Sequence, residues 1–245
     1  QMDGQTVHAP AASDCLRCHE PHYAEEGQLL SETQLELCGD CHDLEDPEAP
    51  KAVVHVPFAD GECSECHNPH DAKVEPLKSC VNCHQEVYAQ FQLPSHHPVP
   101  EGKMSCVSCH NPHAATEYQL KTDMRPNDLC YTCHQSKEGP FIFEHAPVVE
   151  DCSLCHAPHG AVPNNLLTAN EPTLCLQCHE LHFHAGLISP EEHEVEVGGQ
   201  EFENPFGTEG MNISFTTRCT QCHSQIHGTD LPSQSIPGAG YGMVR

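Results

Sequence analysis

The chain has no tryptophan, only eight phenylalanines and five tyrosines in 245 residues, and ten basic residues against 36 acidic ones. Each shortage excludes something. Apolar residues make up 37 % and 18 of them are cysteines, which leaves about 30 % of the chain for a core of ordinary side chains, thin for this length. Something other than side chains has to fill the interior. A formal charge of −26 repels phosphate backbones and anionic lipid, which excludes nucleic acid as a partner. No apolar run approaches the roughly 18 residues of a membrane-spanning helix, so no transmembrane helix is expected. The sequence opens at Gln1 without a charged and then apolar leader. For an exported protein, the signal peptide has already been removed from this numbering.

Cysteine and histidine are abundant instead, at 18 and 22 residues. Cys-x-x-Cys-His occurs nine times: Cys15, Cys18, His19; Cys38, Cys41, His42; Cys63, Cys66, His67; Cys80, Cys83, His84; Cys106, Cys109, His110; Cys130, Cys133, His134; Cys152, Cys155, His156; Cys175, Cys178, His179; and Cys219, Cys222, His223. Every cysteine is used. Two thiols three positions apart reach both vinyl groups of one porphyrin as thioethers, and the next histidine lies under the iron as its proximal ligand. Disulfides give no reason for a histidine after every second cysteine. Zinc ribbons close four-ligand sites and do not require that histidine, and a thioredoxin-like site needs one such pair. The expectation is nine covalently bound haem c groups, each with its iron, attached in an oxidising compartment outside the cytoplasm.

Four motifs continue as Cys-x-x-Cys-His-x-Pro-His, beginning at Cys15, Cys63, Cys106 and Cys152, and alternate with four that do not. This is a two-haem repeat present four times, over approximately 8–50, 51–94, 95–140 and 141–180, followed by 181–245 with an acidic loop, the ninth motif and a Pro/Gly-rich tail. Each repeat carries two further histidines. One precedes its first cysteine: His8, His55, His96 or its neighbour His97, and His145. The other closes the Pro-His step: His22, His70, His113 and His159. His227 in CHSQIH supplies a ninth. Recurrence at the same two offsets points to distal iron ligands, hence bis-histidine ligation. A histidine three residues beyond the proximal one cannot easily reach the far face of the same haem, so it is expected to serve a neighbouring one. The five methionines fall at irregular offsets and are not read as ligands.

With 21 prolines and 16 glycines, long helices and sheets are not expected. The fold class read here is a multihaem cytochrome c, mostly irregular with short α-helices, one elongated domain over 1–245 wrapped around a haem stack. Residues 181–218 read as a solvated acidic loop in preference to a calcium site, with a short strand around Val195 and Val197. His182, His184 and His193 lie there as spare ligands, and the sequon at Asn212 is read as chance.

The stretches KMSCVSCHNPHAA, LCYTCHQSKEGPFIFEHAPVVEDCSLCHAPHGAVPNNLL and LCLQCHELHFH, with CTQCHSQIHG at the end, resemble the MtrA/DmsE family of decahaem periplasmic cytochromes. The resemblance is strongest over 95–228. It implies a haem wire threaded into an outer-membrane β-barrel porin, passing electrons to other multihaem cytochromes between the periplasm and the exterior. Family members typically hold ten haems, against nine motifs here. A second reading is a subunit that self-assembles into an extracellular haem filament. A third, an enzyme such as a multihaem nitrite, hydroxylamine or sulfite reductase, needs an iron with an open position, and the surplus of histidines argues against it. No catalytic residue is assigned. Intact mass and the haem-to-protein ratio of the purified protein should read nine haems per chain; a polypeptide without prosthetic groups would overturn the whole reading.

Overall fold

The computed structural model describes residues 8–44, 54–71, 75–114, 116–122, 124–179, 194–197, 200–203, 218–221 and 223–231. Cys222, His182, His184, His193 and Asn212 lie outside these residues, as do most of the acidic loop and the tail from 232 onward.

Regular structure among the described residues comes in short pieces. Six helices, α1 (Gln34–Gly39), α2 (Val56–Ala59), α3 (Pro76–Val81), α4 (Gln85–Gln90), α5 (Pro126–Tyr131) and α6 (Ala146–Glu150), run four to six residues each, between three-residue 3-10 turns. Proline sets several starts. It occupies the first turn of α2, α3 and α6, where its missing N–H breaks no helical bond. His55 and His145 are the residues that cap α2 and α6, so the His-x-Pro signature opening a repeat is also a helix start. Thr33 caps α1, its Oγ1 accepting from the Glu36 amide at 3.4 Å and donating to the Glu36 carboxylate at 2.7 Å. Beyond the repeats, β1 (Glu194–Val197) pairs antiparallel with β2 (Gln200–Glu203), Val195 opposite Phe202. The strand read around Val195 and Val197 is β1.

The core is as thin as the composition implies. Among the described residues only Val54, Phe91, Val99, Tyr131 and Ala161 are buried apolar side chains, while Leu16, Tyr23, Met124 and Ile142 stand exposed. The described chain is therefore mostly irregular, with short helices, as expected.

The chain gathers into two compact units, 1–92 with 97–129, and 93–96 with 130–245. The first carries five motifs and the second four. Within the second, Ser95 and Ala161 exchange backbone bonds of 3.1 and 2.8 Å, and Phe143 and Thr229 exchange bonds of 2.9 and 3.0 Å. The Glu171 carboxylate accepts from the Thr220 amide at 2.8 Å and from its hydroxyl at 2.9 Å, tying the ninth motif to the turn before the eighth. Hydrogen bonds to a charged group contribute about 1.5 kcal/mol or more. Glu171→Ala should therefore speed amide hydrogen exchange over 219–229 by roughly ten-fold, and unchanged exchange there would show that this tie carries no stability.

Candidate haem sites

Eight motifs, described in full, take one helical turn, and the ninth closes the same backbone bond. The amide of each motif histidine donates to the carbonyl of its first cysteine, from His19 on Cys15 to His223 on Cys219, at 2.8–3.0 Å. Positions i, i+3 and i+4 then share one face. That is the geometry two thioethers and one iron–imidazole bond require of a single porphyrin.

Sulfurs of successive motifs also meet. Cys38 hydrogen bonds with Cys63, Cys80 with Cys106, Cys130 with Cys152, and Cys175 with Cys219. Burial, then the neighbouring thiol, pushes Cys38 and Cys80 up to about 11 and Cys152 and Cys175 up to about 12, so these sulfurs stay uncharged in the free polypeptide. Glu171, Cys175 and Cys219 place three metal-ligating atoms within 4.8 Å of one another. Both sulfurs belong to motifs and Thr220 engages the carboxylate, so this group is the junction of the eighth and ninth motifs.

The surplus histidines pair with motif histidines. His8 faces His42 with ring centroids 6.0 Å apart, His55 faces His84 at 6.0 Å, and His145 faces His179 at 5.9 Å. In each case the histidine opening a repeat meets the second motif of that repeat. The Pro-His histidines reach backwards instead: His70 faces His19 at 5.9 Å and His113 faces His67 at 5.8 Å, each in the preceding repeat. His227 likewise faces His156 at 6.2 Å. Two imidazoles on opposite sides of one metal, each bound at about 2 Å, have ring centroids about 6 Å apart. These residues fit haem iron held between two histidines. Phe58 packs on His113 at 4.7 Å, a contact that sequence spacing gave no sign of. Two Asx turns aim the Pro-His pair: Asn68 Oδ1 accepts from the His70 amide and Asn111 Oδ1 from the His113 amide, both at 3.1 Å. His22 faces no histidine among the described residues. His96 Nδ1 donates to the Leu93 carbonyl at 2.6 Å.

Three motif histidines are fixed from behind. His19, His110 and His156 donate from Nδ1 to the carbonyls of Gln28, Tyr118 and Asn165 at 3.1, 2.9 and 2.8 Å. A carbonyl can only accept, so Nδ1 carries the proton and Nε2 the lone pair that a metal needs. The acceptor in each case opens a pair of non-glycine residues in the left-handed region: Gln28 and Leu29, Tyr118 and Gln119, Asn165 and Leu166, with φ of 50–61°. Such a conformation costs about 1–2 kcal/mol per residue.

The comparisons with known proteins agree with this geometry. The doubled CXXCH motif family matches residues 8–46, 55–89, 96–139 and 145–182, more than half of the chain. The chain is also 33 % identical over 246 residues to the multiheme cytochrome MtrA of Shewanella baltica (strain OS185), covering 92 % of this chain and 71 % of that one. The chain is an MtrA-type multihaem c-type cytochrome. As in other members of that family, haem c is covalently bound and the role is electron transfer. Among the described residues of this cytochrome, no helix is long and apolar enough to cross a membrane.

Ligation needs neutral imidazole. Burial, then neighbouring imidazoles, lowers His55 and His67 below their usual value, and burial lowers His145. His227 is pushed down to about 4 by burial first, then by Lys137, His156 and His145.

Proposed function

We propose that this protein carries nine haems in bis-histidine ligation and conducts electrons along them in motif order. The six pairings of a motif histidine with a histidine outside the motifs, all at 5.8–6.2 Å, carry the reading. Bound haem supplies a one-electron Fe(III)/Fe(II) couple. The polypeptide holds and orders the haems. Imidazoles on both sides of an iron leave no position for a substrate, which favours electron transfer over catalysis. Sulfurs meet between motifs two and three, four and five, six and seven, and eight and nine, so haems held there would be close neighbours along the chain.

Family membership and the charge support a reading of where it acts. The protein serves as the cytochrome of an outer-membrane porin–cytochrome conduit for extracellular electron transfer, exported to the periplasm and associated with the outer membrane. Its partners are a β-barrel porin and other multihaem cytochromes. A charge of −26 suits cationic docking patches on such partners.

One observation favours the second reading, an extracellular filament subunit. His22 is exposed and has no histidine opposite it among the described residues, so it could be donated to an iron of a second copy. Negative-stain images of purified protein separate the two: dispersed particles support the conduit, and fibres lost in His22→Ala support the filament. Ligation is tested by EPR of the oxidised protein. His70→Ala should convert one low-spin iron per chain to high spin, whereas His22→Ala should leave the low-spin count unchanged in dispersed protein. A wild-type protein already largely high-spin would sink the bis-histidine reading.

A further inference from the structure

Three repeats share a device that the described residues of the second do not show. In repeats one, three and four, 18 or 19 residues separate the first motif's histidine from the next cysteine, and in repeat two only 12 do. The longer segments fold back on their own motif. The second left-handed residue of each accepts the amide following the motif histidine: Leu29 from Glu20 at 2.8 Å, Gln119 from Asn111 at 2.7 Å, and Leu166 from Ala157 at 2.7 Å. The chain then returns an amide to the second cysteine of that motif, Ser31 to Cys18 at 3.0 Å, Lys121 to Cys109 at 2.9 Å, and Thr168 to Cys155 at 2.9 Å. Between these bonds, one carbonyl is aimed at the ring Nδ1. In repeat two the Ser79 hydroxyl donates to the Cys66 carbonyl at 3.2 Å, and the His67 ring has no hydrogen-bond acceptor among the described residues.

Left-handed backbone at six residues, none of them glycine, is costly and needs a return. A carbonyl accepting from Nδ1–H makes the imidazole a stronger donor at Nε2 and so favours ferric over ferrous iron. We propose that the paired left-handed turns of repeats one, three and four lower the reduction potentials of the haems at His19, His110 and His156, and that the haem at His67, whose described surroundings hold no such turn, is more easily reduced than these three. The inference rests on histidine ligation of the irons, as proposed above. Gln28, Tyr118 and Asn165 are positioning residues here, acting only through the histidine they face. Ser95 buttresses the fourth turn, its Oγ accepting from the Leu166 amide at 2.8 Å.

The test uses the whole nine-haem protein. Proline cannot adopt positive φ whereas glycine does so readily, so Asn165→Pro should break the turn and Asn165→Gly should keep it. Potentiometric difference titration of Asn165→Pro should show one of nine one-electron components moved positive by about ten-fold in ferric-over-ferrous preference, 59 mV for one electron. The irons should remain low-spin by EPR, and Asn165→Gly should titrate as wild type. Should Asn165→Pro fail to assemble, Tyr118→Pro in repeat three and Ser95→Ala, which loosens the turn without touching the motif, carry the same expectation in the same direction. Low-spin variants with titrations superimposable on wild type would overturn the proposal while leaving the ligation reading intact. A high-spin wild type would instead remove the ligation reading beneath it.

Discussion

The bond from each motif histidine amide to the carbonyl of its first cysteine, closed nine times, is the smallest unit on which the fold depends. In the eight motifs described in full, it makes a turn of five residues into a three-point mount, with two sulfurs and one imidazole on the same face. A helix of four to six residues has little stability of its own, since nucleation is unfavourable and propagation barely begins. These turns persist because the chain on either side is fixed by short-range bonds and because each mount is made to be held by a porphyrin. With five buried apolar side chains among the described residues, no conventional core could substitute. Covalently bound haem stands where a larger protein would place leucine and phenylalanine, much as disulfides and metals do in small scaffolds.

Above that unit, two kinds of histidine pairing build two kinds of link. The histidine that opens a repeat closes on the second motif of the same repeat, as His8 does with His42 and His55 with His84. Two Pro-His histidines close on the first motif of the repeat before, His70 on His19 and His113 on His67. The first kind makes a repeat self-contained; the second clasps it to its predecessor. Under the proposed ligation each iron of the second kind is a cross-link between repeats. Shared irons of that sort make neighbouring repeats fold and unfold together, unlike a solenoid whose repeats meet only through apolar faces.

Much of this could be read in the sequence, and the limits have physical causes. Nine motifs without a leftover cysteine pointed to the attachment sites, because covalent attachment demands strict local spacing, and two recurring histidine offsets pointed to His8, His55, His145, His70 and His113, which do face motif histidines. Partner choice was harder. Spacing gives reach, and reach excluded the haem nearest to each Pro-His histidine without selecting the one behind it. Phe58 on His113 is a packing contact with no periodic signature. The left-handed pairs were hard to see for a different reason. Positive φ is ordinarily announced by glycine or asparagine, yet of the six residues that adopt it here only Asn165 is of that kind, the others being glutamine, leucine and tyrosine. Local propensity encodes little of those turns; they are imposed by the bonds that close around them.

That imposition separates attachment from tuning. Attachment is local and uniform, as the same backbone bond at all nine motifs shows. Tuning is non-local, since it depends on how much chain is available to fold back on a motif. Eighteen or nineteen residues suffice to return two carbonyls and one amide to the motif, whereas among the described residues of the twelve a serine hydroxyl is what reaches the cysteine carbonyl. Loop length between otherwise identical mounts is therefore a variable that can adjust one haem without disturbing the spacing of the rest. A chain built from one repeated motif needs such a variable if its haems are not all to have the same affinity for an electron.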